Sequence, residues 1–383
     1  MNSLNFKPLS IGFIGGAIES AIGYTHFISC RIDNRWSVDA GCFSIDVHIN
    51  QETGQFYGVN PDRVYNTWQK MLANEKHRLD AILILTPTPS HYEMVVACLS
   101  EGMPVICEKA LALNSVEAKE ILDIQKANQG FLVVTYNYSG YPMVRELRQK
   151  IRSGILGEIR HFQAEMPQEG FIRTDANSNK LLPQSWRLSD TKEIPTIYLD
   201  LAVHLHQLID YLIDKKPIEV IGHQASHGWF DVIDNVVCLA RYNNNVQGQF
   251  WFSKSALGHR NGLKLRLYGT KASAEWYQAN PEELLLSYSD GRREILDRAS
   301  SYVDIAHELR YNRFKSGHPA GFLEAFANLY TDIAECLRQY KATGFWKSNE
   351  VYGPELALEG LYFLEAISNS SKQKVWQKVV DQL

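Results

Sequence analysis

The spacing of apolar residues changes character near residue 140. Before it, short apolar runs alternate with stretches of helical period. Ser10–Ile14, Asp39–Ser44, Ala81–Leu85, Val105–Cys107 and Phe131–Thr135 read as strands. Between them, Tyr92, Val95, Val96 and Leu99 recur at helical spacing, and Gly102 closes that helix. Asn114 or Ser115 caps the next one. Alternation of this kind predicts a parallel sheet covered by helices on both faces.

After residue 140 the strands follow one another with few helices between. Ile159–Glu165, Ile218–Gln224, Asn235–Tyr242, Val246–Phe252 and Leu263–Tyr268 are strand-like, and Asn243-Asn244-Asn245 is a hairpin signal. They predict one large, open, mostly antiparallel sheet. Leu201, Leu205, Leu208 and Leu212 form a helical stripe. The polar segment from Gln168 to Pro195 has no period, and a loop that long is usually mobile or functional. The tail from Gly321 reads as helical. A chain of 383 residues exceeds one ordinary core, so the division expected is residues 1–140 and 141–383.

Composition narrows the class. The chain is 45% hydrophobic and 21% charged, which supports large cores. The net charge of −4 comes without a basic stripe, so nucleic acid is not an expected partner. No apolar run approaches the roughly 20 residues that span a bilayer. The six cysteines form no CxxC and several sit in apolar runs, which points to a reducing, cytoplasmic setting. His223 and His227 lack a third ligand at convincing spacing, so no metal site is expected.

Ligands of open parallel sheets bind beyond the carboxyl ends of the strands. Four features lie there: Gly15-Gly16, Thr86-Pro87, Glu108-Lys109 and Tyr136-Asn137. The stretch Gly15-Gly16-Ala17-Ile18 stands where a phosphate-binding turn would, although a plain strand-to-helix turn fits it as well. The second and third glycines of a G-x-G-x-x-G fall on Ala17 and Ser20. Ser44 occupies the position where an acid would bind the ribose, with Asp46 two residues late. That leaves NAD and NADP both open, NAD slightly favoured.

Lys109 closes a buried strand, where an ammonium is either emerging into solvent or held beside a substrate oxygen. Asp200 and His204 share one face of a helix at a spacing of four. An imidazole, with an ordinary pKa of about 6.5, suits accepting an alcohol proton. A capping Asp and a structural His explain the same spacing. The Tyr136–Tyr141 aromatics either stack on a ring or pack between domains, and Trp186-Arg187 either lines a polar pocket or is an ordinary surface cation–π pair.

Taken in order, these motifs resemble the Gfo/Idh/MocA oxidoreductases. The likeness runs through Ile11–Gly16, Thr86-Pro87-x-x-x-His91, Glu108-Lys109 and Asp200-x-x-x-His204, and so along nearly the whole chain. Thr135–Pro142, Asp234-Asn235 and Gly317–Phe322 are similar to a sugar and inositol dehydrogenase subgroup. The resemblance implies a Rossmann domain followed by a domain built on an open sheet. It implies catalysis by Lys109, Asp200 and His204, and a cofactor held by Gly15, Gly16, Ala17, Ile18, Ser44, Thr86, Pro87, His91, Glu108, Lys109 and Asn137. The substrate, a cyclic polyol, would meet Lys109, Tyr141, Trp186, Arg187, Asp200 and His204. A homodimer or homotetramer packed through the second sheet is implied as well.

This chain departs from the family pattern in three places. Ala110 replaces the proline after Glu108-Lys109, glycines are missing at Ala17 and Glu19, and Pro195–Leu199 replaces a Gly-rich approach to Asp200. Two other activities fit the same motifs. One is an enzyme using bound NAD for a net non-redox reaction such as glycoside cleavage. The other is a non-catalytic binding or regulatory protein on this scaffold.

Overall fold

The computed structural model describes residues 7–189 and 194–380. The chain begins with β1 (Leu9–Gly15), whose Ile11, Phe13 and Ile14 are buried. There follow α1 (Gly23–Ile32), β2 (Trp36–Cys42), α2 (Val47–Tyr57), α3 (Trp68–Glu75), β3 (Ala81–Leu85), α4 (His91–Ser100), β4 (Val105–Glu108), α5 (Ser115–Ala127) and β5 (Leu132–Thr135). All five strands are parallel, in the order β2-β1-β3-β4-β5. The strand-and-helix alternation therefore has the meaning read from it.

One strand lies earlier than its pattern suggested. β2 begins at Trp36 and stops at Cys42, so Ser44 sits two residues beyond the strand rather than at its end. The alternating Trp36, Val38 and Ala40 point into the core. The bend after Cys42 is set by Asn50, whose Oδ1 accepts the N–H groups of Phe43 and Ser44. No local apolar count carries that information.

The chain continues with α6 (Pro142–Arg152), β6 (Ile159–Pro167), α7 (Val203–Ile213), β7 (Pro217–Ala225), β8 (Asn235–Tyr242), β9 (Val246–Ser253), β10 (Lys264–Gly269), β11 (Ala272–Tyr277), β12 (Asn280–Tyr288) and β13 (Arg293–Leu296). It closes with α8 (Phe322–Thr343), α9 (Pro354–Gln373) and β14 (Gln377–Lys378). Among the described residues the second sheet has nine strands, in the order β13-β12-β11-β10-β6-β9-β8-β7-β14. Every pair is antiparallel except β6 with β9. β8 shows why the sheet has one covered face: Val236, Cys238, Ala240 and Tyr242 are buried, while Val237, Leu239 and Arg241 are exposed.

Two compact units result. One runs through Gly140 and takes in Gly321–Leu358; the other is Tyr141–Ala320 with the chain from Glu359 on. In the first unit α8 covers the sheet. Its Phe326, Leu329, Tyr330 and Ile333 pack among Phe13, Trp36 and Val133, and the Trp36 indole donates to the Tyr330 carbonyl at 2.9 Å. In the second unit two buried charges tie down the irregular segment after β13. The Glu146 carboxylate accepts the N–H groups of Asp304, Ile305 and Ala306, with Lys150 at 3.0 Å. Arg298 donates to Glu282 and to the carbonyls of Tyr311 and His318. Both charges would be costly to bury unpaired. Among the described residues no helix is long and apolar enough to cross a membrane.

Candidate active site

In the first unit the carboxyl edge of the sheet gathers the residues expected to hold a cofactor. Gly15 and Gly16 have φ of +82° and +76°, backbone that an L side chain rarely adopts. Space is closed as well: a Cβ on Gly16 would lie 2.5 Å from Leu85 Cδ1. The turn then takes a course the spacing did not predict. α1 starts only at Gly23, whose N–H, like that of Ile22, points at Ser20 Oγ. A Cβ on Gly23 would stand 2.2 Å from the Gly16 carbonyl oxygen. Gly23, not Ser20, is thus the glycine that lets the helix pack against the turn. The missing glycines at Ala17 and Glu19 cost the turn less than the motif implies. Ala17 is buried, and the N–H of Ile18 donates to Thr53 Oγ1 at 3.3 Å.

His91 staples the next two strand ends together. Its Nδ1 is 2.7 Å from the Ala110 carbonyl and its Nε2 is 2.8 Å from the Thr86 carbonyl. Burial holds its pKa below the ordinary histidine range, although both carbonyls pull the other way. Pro87 opens a short turn before α4, and the Thr86 hydroxyl donates to Met94 Sδ. At the end of β4, burial alone would raise the Glu108 carboxyl. Contact with His26, the charge of Lys109 and the Thr135 hydroxyl outweigh it and hold the group below the usual carboxylate range. Asn137 follows β5; its Nδ2 is buried without a hydrogen-bond partner among the described residues. Two left-handed glycines, a close-packed helix start and an orphaned buried donor at the same sheet edge fit a dinucleotide.

The second unit holds Asp200 and His204. Asp200 lies on a wide, π-type turn (Tyr198–Ala202), and His204 on the first turn of α7. Such turns recur at functional sites. A plain helix, as read from the leucine stripe, begins only at Val203. His204 is buried. The Asp200 carboxylate receives two cations on its Oδ2, the Arg187 guanidinium and the Lys254 ammonium. Arg187 lies over the Trp186 ring at 4.8 Å, a cation–π contact within the loop. Tyr141 is buried against Trp276 at 5.2 Å, and its hydroxyl accepts from Gln278.

Lys254 was not singled out by the sequence, yet its position is fixed on every side. Its N–H donates to the Asp234 carbonyl at 2.7 Å, and its carbonyl accepts from Phe171 at 2.8 Å. Its ammonium stands 5.3 Å over the Phe171 ring. Asp234, fully buried, accepts from His227, Gly228 and Ser255 and so locks the loops beneath it. The signal was available. Phe250-Trp251-Phe252-Ser253-Lys254 is a cation closing an apolar strand, the pattern that marked Lys109.

Known proteins agree with this fold and with an NAD-binding Rossmann domain. Residues 9–136 match the oxidoreductase family with an NAD-binding Rossmann fold, and residues 144–275 match the GFO/IDH/MocA C-terminal domain. The oxidoreductase YfiI of Bacillus subtilis is 30% identical over 97% of this chain and 96% of its own. A levoglucosan dehydrogenase of Pseudarthrobacter phenanthrenivorans is 26% identical over 58% of this chain and 62% of its own. Among solved structures, an inositol dehydrogenase homolog from Azotobacter vinelandii, complexed with NADH and myo-inositol, superposes with a TM-score of 0.86 at 26% identity, covering 97% of this chain and 98% of that one. The chain belongs to the Gfo/Idh/MocA family, as an oxidoreductase with an NAD-binding Rossmann domain and the family's C-terminal domain.

Proposed function

We propose that the protein transfers hydride between nicotinamide and a ring carbon of a cyclic polyol: a sugar, a sugar derivative or an inositol. Lys109, Asp200 and His204 are its catalytic groups. One observation carries this reading: Asp200, gripped by Arg187 and Lys254, stands one turn from the buried His204. A fixed carboxylate orients hydroxyl groups by strong, charge-assisted hydrogen bonds. The neighbouring imidazole accepts the hydroxyl proton at a ring nitrogen, and the role of the Lys109 ammonium is to donate a hydrogen bond to substrate. The nicotinamide supplies the hydride chemistry when bound.

The test has two stages. NADH and NADPH are titrated by fluorescence, and polyols are then screened by absorbance of the reduced cofactor, with myo-inositol and levoglucosan as first probes. Steady NADH formation from a cyclic polyol supports the reading. A protein that retains NAD, consumes glycosides and yields no net NADH would replace it with a net non-redox reaction.

The uncovered sheet face, which exposes Val237 and Leu239, supports a homodimer or homotetramer formed through it. Val237→Lys should lower the mass measured by light scattering; an unchanged mass removes that face from the interface.

A further inference from the structure

One buried charge in the Rossmann unit is unused by the chemistry above. Glu108 ends β4 with a largely buried side chain. His26 of α1, fully buried, brings Nε2 within 3.3 Å of Glu108 Oε1. The other ring nitrogen of His26 meets Tyr330 Oη of α8 at 2.6 Å. Thr135 of β5 donates its hydroxyl to the same Oε1. Burial pushes the Tyr330 phenol well above its ordinary pKa, so its O–H is available to donate to Nδ1. The Nε2 edge of the ring then faces the carboxylate. Four elements thus converge to keep one carboxylate ionised where a carboxamide would be less costly to bury.

Sheet order fixes what lies above it. The glycine turn follows β1, and the ribose position follows β2, on one side of β1. A dinucleotide whose pyrophosphate sits at the turn therefore runs its nicotinamide half over the ends of β3 and β4. The two redox states of that half differ in charge: the ring of NAD+ is a cation and that of NADH is neutral.

We propose that Glu108 tunes the preference between oxidised and reduced cofactor, and that His26 is the positioning residue that keeps it an anion. The carboxylate attracts the cationic ring and gives no such attraction to the neutral one. Lys109 opposes this attraction, and removing Glu108 takes away the attraction and leaves the opposition, so the ratio moves in one direction only. This inference rests on cofactor binding and is independent of which polyol reacts.

The test is equilibrium titration of the full chain with NAD+ and with NADH. Glu108→Gln should raise the ratio Kd(NAD+)/Kd(NADH) by about ten-fold or more. His26→Phe strips the carboxyl of its partner and raises its pKa, so the ratio should climb as pH falls from about 9 to about 6. Each variant is compared with the wild type at the same pH, and His26→Gln, which keeps a donor, should stay near wild type. The other groups facing Glu108 are Lys109, His91, Cys107, Tyr136 and Tyr330, and burial keeps that thiol and both phenols protonated over this range. Equal weakening of both cofactors by Glu108→Gln would make the residue a structural or ribose contact and overturn the proposal. So would an unchanged ratio. Failure of the wild type to bind either form would remove the cofactor reading beneath it, a different result from a bound pair with an insensitive ratio.

Discussion

The Lys254 ammonium lies 2.5 Å from Asp200 Oδ2. Both side chains are about nine-tenths buried, so the pair is poorly screened and its charges matter more than those of a surface bridge. Of the Arg187 and Lys254 cations at Asp200, Lys254→Met takes one away and raises the pKa of the carboxyl. We expect kcat/KM for the polyol selected by the screen to fall about ten- to a hundred-fold, with its acid limb moved to higher pH. Lys254→Arg should restore most of the loss. An acid limb that stays in place in the methionine variant would reduce Lys254 to a packing residue.

His204→Ala should lower kcat by about 10²–10⁴-fold, the usual return on a positioned general base. The Kd for NADH should stay within about two-fold of wild type, because the role proposed for His204 is toward the substrate hydroxyl and not the cofactor. Lys109→Ala should damage kcat and KM together. Stopped-flow and steady-state kinetics separate these cases, and a parallel loss of NADH affinity in His204→Ala would contradict its role.

Gly23→Ala sets two effects against each other. Alanine favours a helix over glycine by about 0.5–1 kcal/mol. Here its Cβ would stand 2.2 Å from the Gly16 carbonyl oxygen, a backbone atom with no rotamer to yield. Overpacking of that kind costs about 1–3 kcal/mol, so the clash should win. We expect a lower Tm and NADH binding weakened about ten-fold or more. A higher Tm would mean that the turn and helix are free to separate.

His206, two residues past His204, is buried against Gly360 and Phe363. Burial pushes its pKa down to about 4, with Asp210 pulling up and Lys216 pushing down more weakly. The unfolded chain, with an ordinary pKa of about 6.5, takes up the proton first as pH falls. Stability is therefore full above about pH 6.5 and is lost progressively toward about pH 4, by roughly 3 kcal/mol. Urea denaturation across that range should show a shallower pH slope in His206→Leu. Equal slopes in the two proteins would place the acid sensitivity elsewhere.

Some elements were legible because local composition decides them. Ala81–Leu85 is an apolar run closed by Thr86-Pro87, and the strand has those bounds. Asn243–Asn245 turn the chain with Asn244 and Asn245 at positive φ, as small polar residues allow. β11, β12 and β13 escaped notice. Their exposed faces carry residues such as Glu275, Glu283 and Glu294, and only pairing with β10 and with one another makes them a sheet. The helical tail was read correctly, but an amphipathic stripe does not say which core it covers. α8 returns to the Rossmann sheet, where Tyr330 meets His26.

By itself the sequence determined the parallel sheet, the open second sheet and the order of the motifs, because these follow from apolar period and turn residues close in the chain. It also marked Lys109, Asp200 and His204 as the residues to weigh. Tertiary structure alone decided that Gly23 completes the cofactor turn, that Lys254 and Arg187 share Asp200, and that His26, Thr135 and Tyr330 surround Glu108. In each case the deciding contact joins residues distant in sequence or set by an irregular turn. A charge or a glycine shows its chemical type in the sequence, but its energy depends on what the fold brings within a few ångströms of it.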